Sequence, residues 1–179
     1  MKTVVIMSHP DYQNSRMNKA LFEAAKTLPD VTARHLEAIY GYDTKAFDVK
    51  EEQKILESAD RIVFQFPMFW LAAPAMLKAY IDEIFTYGWA YGSAGNKLAN
   101  KELQIVVSLG SAEAAYSREG SVKHTVAEVL LPLQITADYC GMIFNRIFIN
   151  GGSFSANDDD IKKCVEKYVK LLKNEPIEE

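Results

Sequence analysis

The 179-residue chain alternates short, wholly apolar runs with longer segments whose apolar residues recur every three or four positions. "TVVIM" (3–7) is a short apolar run rich in β-branched residues, and it stops at Ser-His-Pro. That pattern predicts a strand buried on both faces. Met17, Ala20, Leu21, Ala24, Ala25 and Leu28 then mark one face of a helix over about Ser15–Thr27. Ser15 or Asn14 stands where a cap is needed. "VTARHL" (31–36) alternates, as a strand nearer a sheet edge does. Residues 37–49 carry no period, and "EEQKILESA" (51–59) reads as a short helix. "RIVFQF" (61–66) is a third strand, ended by Pro67.

Pro74 suits the first turn of the next helix, whose stripe is Met76, Leu77, Tyr80, Ile81, Ile84 and Phe85. Residues 86–100 hold three glycines and read as a loop. "LQIVVSLG" (103–110) is a fourth strand. Ser121 is expected to cap a helix through Val122, Val126, Val129 and Leu130, bent or ended by Pro132. "MIFNRIFI" (142–149) is a fifth strand. The closing helix, 156–173, has Asn157 at its N-cap and Asp158, Asp159 and Asp160 in its first turn. Those carboxylates suit the positive end of the helix dipole better than they suit a metal. Five alternations of strand and helix predict an α/β fold: a doubly wound, five-stranded parallel sheet of order 2-1-3-4-5. One domain over 1–174 with a tail at 175–179 is expected.

Composition narrows the function. Apolar residues are 49% and charged residues 25%, an ordinary globular balance. Net charge is −4 with Lys and Arg dispersed, which argues against nucleic acid and anionic membrane as main partners. Cys140 and Cys164 form no metal-ligand spacing and fit a reducing compartment. The four-residue apolar run after Lys2 and Thr3 is too short for a signal-peptide core, and no stretch approaches a membrane span. A cytoplasmic location is expected.

In this fold, ligands bind outside the carboxyl ends of the strands, where the strand order reverses. Three unusual loops are expected there: "SHPDYQNSRMN" (8–18), "PMFWLAAP" (67–74) and "SLGSAEAAYS" (108–117). The first leads into a helix N-terminus, where free N–H groups and the dipole favour a phosphate. Ser15 and Asn18 add polar groups and Arg16 adds charge, although Ser15 read alone is first a cap. His9 is as much a packed loop residue as a ligand contact; His35 reads as structural or exposed, and His124 as a helix-surface residue. The second loop offers the flat apolar groups Met68, Phe69, Trp70 and Leu71, where polar residues are the rule. They can face a planar ring, the core or a dimer contact. In the third loop, Gly110 lets backbone approach a ligand closely, beside Ser108 and Ser111. Tyr116 and Ser117 can line a pocket mouth. No GxGxxG or Walker pattern is present.

Together, "HPDYQNSRMNKAL", "FQFPMFWLAAPAMLKAYIDEIFTYGWAYG" (64–92) and "DYCGM" resemble the flavodoxin-like NAD(P)H:quinone oxidoreductase family. By length the chain resembles its small FMN-binding members, which include ancillary subunits of glutathione-gated potassium efflux systems and general quinone reductases. The resemblance implies a bound FMN, NADH or NADPH as hydride donor, a quinone-like acceptor, two-step hydride transfer and a homodimer. It implies that His9, Ser15, Arg16, Met17 and Asn18 hold the phosphate and ribityl chain. Pro67, Met68, Phe69, Trp70 and Leu71 would bracket the isoalloxazine. Ser108, Leu109, Gly110 and Ser111 would reach its pyrimidine edge, and Tyr116 would be the catalytic residue facing substrate. The chain departs from the family in having "SLGS" (108–111) in place of Thr-Thr-Gly-Gly. Val122 also stands at the family's His position, with His124 two residues on. A transporter-bound regulator and a flavodoxin-type electron carrier are the competing expectations.

Overall fold

A computed structural model describes residues 1–177. Its centre is a parallel sheet of β1 (Thr3–Met7), β2 (Val31–His35), β3 (Arg61–Pro67), β4 (Glu102–Ser108) and β5 (Ile143–Phe144), in the order β2-β1-β3-β4-β5, with one further short strand beside β4. β1, β3 and β4 form the middle and are almost wholly buried. Their β-branched and aromatic side chains need apolar layers on both faces, and the helices supply them. β2 lies on one edge, with Val5 paired between Ala33 and Val63.

One face of the sheet is covered by α1 (Arg16–Lys26) and the last helix, α7 (Asp158–Lys173). The other carries α2 (Leu36–Tyr40), α3 (Val49–Glu57) and α4 (Ala75–Ile84), together with α5 (Val126–Val129) and α6 (Leu131–Tyr139). α7 has the capping box expected around Asn157, whose side chain accepts from the Asp160 N–H while Asp160 accepts from the Asn157 N–H. At its other end Asn174 turns left-handed at φ 58°. There the buried Arg61 guanidinium donates to the Leu171 and Leu172 carbonyls and to Asn174 Oδ1. A cation at the negative end of the dipole thus ties α7 to β3. Of the expected tail, residues 178 and 179 lie outside the described residues.

Three expectations need correction. The fifth strand is not continuous over 142–149: it is split into β5 (Ile143–Phe144) and β6 (Phe148–Asn150), both on the outer edge of β4. Between them the Gln104 side-chain amide, not a ladder N–H, donates to Arg146 O. The helix expected from Ser121 starts instead at Thr125, which makes its own capping box with Glu128, and it breaks at Leu130 before Pro132. Residues 37–40, without a period in sequence, form the helical turn α2 together with Leu36, expected from the sequence at the end of the second strand.

On α3, Glu52 is completely buried. It is paired with Arg34 and accepts from the Tyr40 and Tyr80 hydroxyls at 2.6 and 2.9 Å. No helix of the described residues is long and apolar enough to cross a membrane.

Candidate functional site

The carboxyl ends of β1, β3 and β4 deliver their loops to one edge of the sheet, where they wall a cleft of about 390 Å³. The parallel register dictates this: Met7 lies beside Gln65, and Pro67 beside Ser108, so the three chains leave the sheet together. Of the expected residues, His9, Ser15, Arg16, Met17, Asn18, Pro67, Met68, Phe69, Ser108 and Gly110 line the cleft. Trp70, Leu71, Leu109, Ser111 and Tyr116 do not. A larger groove of about 890 Å³ runs between β6 and α7. It follows the sheet edge, not the reversal in strand order, and the β3 loop contributes no residue to it.

The first loop presents donors. Ser15 occupies the N-cap of α1, yet its side chain makes no cap hydrogen bond. The N–H groups of that first turn, and the hydroxyl itself, are left for something else. His9 Nδ1 accepts from the Asp11 N–H at 3.1 Å, which assigns the ring proton to Nε2. Burial holds the His9 pKa below its ordinary value, outweighing the opposite pull of Glu37 and Asp11. At neutral pH the ring is therefore an uncharged donor. Arg16 lines the cleft, but its guanidinium is turned toward α7: it donates to Ala156 O at 2.7 Å and meets Asp158 at 2.6 Å.

Asn18 sits deepest, 2% exposed. Its Nδ2 donates to Ser108 Oγ at 2.7 Å, and its carbonyl accepts from Gln65 Nε2 at 2.9 Å. Its Oδ1 is buried with no partner, alone in this among the described side chains. Such an acceptor costs free energy unless a ligand fills the need.

The second loop doubles back on itself. Phe69 and Ala72 exchange both backbone hydrogen bonds, at 3.0 Å each. The two residues between, Trp70 and Leu71, have φ of 45° and 63°. These are uncommon values for bulky side chains, and a two-residue reversal of this hand requires them. The Trp70 and Leu71 N–H groups donate to none of the described residues. The Trp70 side chain is 99% exposed and stands clear of the cleft. The Phe69 ring meets His9 edge-on at 6.4 Å across it.

In the third loop Leu109 departs from expectation. It is fully buried, and its N–H is spent on Asn150 O at 2.8 Å, extending the β6 pairing. That donor is therefore already engaged within the sheet. The Gly110 and Ser111 N–H groups donate to none of the described residues. Tyr116 packs half-buried against the apolar core, and its pKa is raised by burial.

Two contributions escaped the sequence reading. Glu37, at the start of α2, accepts from Ser8 Oγ at 2.6 Å and from the His9 N–H at 3.0 Å, with His35 Nε2 3.3 Å away. It braces the first loop from behind, and nothing in residues 37–49 marked it. A fourth loop, after β6, adds Ser153 and Phe154 to the cleft wall. Its signal was present: Gly151-Gly152 directly after a strand.

Comparison with known proteins bears on the family and the fold. The family model described as a flavodoxin-like fold matches residues 1–172. An uncharacterized NAD(P)H oxidoreductase of Bacillus subtilis, YrkL, is 42% identical over 98% of this chain and 99% of its own. The general stress protein 14 of Treponema denticola, solved in complex with FMN, superposes with a TM-score of 0.92 at 36% identity, covering 97% of this chain and 99% of its own. An NADPH-quinone reductase of P. pentosaceus superposes at 0.86 with 29% identity, covering 96% and 97%.

Proposed function

The chain belongs to the flavodoxin-like family, and from that premise we propose that it is an FMN-dependent NAD(P)H oxidoreductase that passes a hydride to a quinone or similarly flat acceptor. The observation that carries the reading is Asn18 Oδ1, the buried acceptor without a partner. A polyol chain beside it, such as the ribityl of FMN, brings the hydroxyl donors it lacks. At the mouth of the same cleft, the uncapped first turn of α1, the Ser15 hydroxyl and the neutral His9 Nε2–H are three donors suited to a phosphate. Arg16 serves the phosphate less directly, because Ala156 and Asp158 already hold it.

Met68 and Phe69 give the ring system an apolar wall. The N–H group of Gly110, which lines the cleft and donates to none of the described residues, is a dipole available to its polar edge. When bound, FMN supplies the electron chemistry, accepting a hydride from NADH or NADPH and delivering it to the acceptor. The protein fixes the ring, brings donor and acceptor to it in turn, and excludes water from the apolar side. One site used by both substrates implies a double-displacement order, in which the oxidised nicotinamide leaves before the acceptor enters.

Within one subunit Trp70 and Leu71 stay exposed at the tip of their turn. An apolar tip of this kind fits a homodimer contact beside the cleft. We place the enzyme in the cytoplasm; attachment to a potassium-efflux transporter would instead show as recovery with membranes.

The test is direct. The purified protein, reconstituted with FMN and desalted, is expected to hold a yellow chromophore at one equivalent per chain. Anaerobic NADPH or NADH bleaches it, and a quinone restores it. Initial rates over both substrates give parallel double-reciprocal lines. A protein that stays colourless after reconstitution refutes the assignment. A bound flavin that neither nicotinamide reduces leaves a flavodoxin-type carrier as the function.

A further inference from the structure

The fourth loop is built with care for a segment whose most conspicuous side chain is left in solvent. Gly152 N–H donates to Ser111 O at 2.7 Å, and both the Ser153 N–H and its hydroxyl donate to Leu109 O at 2.9 Å. The glycine pair makes that approach feasible. A Cβ on Gly151 would lie 2.6 Å from Glu113 N, and Gly152 has a φ of +69° that L side chains rarely adopt. Arg16 closes the other end of the segment through Ala156 O and Asp158. The result places the Phe154 ring directly on Gly110, so close that a Cβ there would lie 2.5 Å from the ring. Phe154 nevertheless remains 90% exposed, and the face it shows is part of the cleft wall. A pinned backbone that holds a large apolar ring out into a cleft implies a partner for that ring inside the cleft.

We propose that Phe154 is a flavin-covering residue: its ring packs against the FMN ring system at the Gly110 end of the cleft and retains the cofactor. This rests on the FMN reading above. Two other apolar groups of the wall, Met68 and Phe69, come from the β3 loop, on the opposite side from β6. Phe154 therefore supplies the second side of an aromatic slot for a flat ligand. Aromatic packing of this kind favours offset or edge contacts. Arg16 acts through the loop as a positioning residue, because its contacts fix Ala156 and Asp158 two and four residues beyond the ring.

The experiment measures FMN binding to apoprotein by quenching of flavin fluorescence. Phe154→Ala is expected to raise the FMN Kd about tenfold, from loss of aromatic packing and covered area. Phe154→Tyr is expected to restore it to within about twofold of wild type, since the ring and its area are kept. The exposed position predicts an apoprotein melting point within about 2 °C of wild type for both variants, so the alanine variant folds. An alanine Kd within twofold of wild type overturns the proposal, and a raised quinone KM alongside it would assign the ring to the acceptor. Loss in both variants alike also overturns it, because the aromatic ring would then not be the cause. Failure of wild-type apoprotein to bind FMN defeats the cofactor reading itself and this proposal with it. Wild-type binding with an unaffected Phe154→Ala defeats this proposal alone.

Discussion

Asn18→Ala separates a ligand-binding group from a structural one by opposite effects on two equilibria. In apoprotein the substitution removes the Nδ2 bond to Ser108 Oγ, worth about 1 kcal/mol net. It also removes Oδ1, a buried acceptor without a partner, whose desolvation costs about 1–3 kcal/mol in the native state. The two changes oppose each other, and apoprotein stability should stay within about 1–2 kcal/mol of wild type. Binding is different. Wild-type Oδ1 already carries its desolvation cost, so a hydroxyl that reaches it recovers about 1–3 kcal/mol, which the alanine variant cannot gain. The FMN Kd should rise about 5- to 150-fold. Urea unfolding of apoprotein and FMN titration of the same preparation give the two numbers. Apoprotein destabilised by more than about 3 kcal/mol with unchanged FMN affinity would refute the reasoning, because Asn18 would then be a packing residue with no ligand to meet.

Three other outcomes follow from the geometry. Ser15→Glu puts a carboxylate where the phosphate is expected and should weaken FMN at least about tenfold while apoprotein stability holds; unchanged flavin content would displace the phosphate from α1. His9 has a folded-state pKa below its unfolded value of about 6.5, so the unfolded chain binds the proton more readily. The stability tied to its neutrality is complete above that pH and is lost as pH falls through the window below it. His9→Gln should flatten that part of the apoprotein urea-midpoint profile, and a profile unchanged by the substitution would contradict a buried neutral ring. Arg34→Met strips the charged partner from fully buried Glu52 and leaves it two tyrosine hydroxyls, for a loss of about 3 kcal/mol in chemical denaturation. A loss under about 1 kcal/mol would mean that the hydroxyls suffice.

Much of the architecture is written in the one-dimensional pattern. β1, β3 and β4 each carry a run of consecutive apolar residues because parallel central strands are covered on both sides, and that run is visible before any folding. The stripes of α1, α4 and α7 and the Asn157 cap are equally local, since each depends on residues within a few positions. The strand order adds that the loops after β1, β3 and β4 meet, and the motif in those loops carries the resemblance to the family. The sequence could not say which atoms in the loops are already engaged. The Leu109 N–H is consumed by Asn150, 41 residues on in number, and Arg16 is turned aside by Ala156 and Asp158 from across the molecule. Glu37 became a brace for His9, and Phe154 a wall of the cleft, through the same long-range pairing. Periodicity records which face of an element is buried. Hydrogen-bond partners are assigned by closing the sheet, and only then is Asn18 Oδ1 left without one.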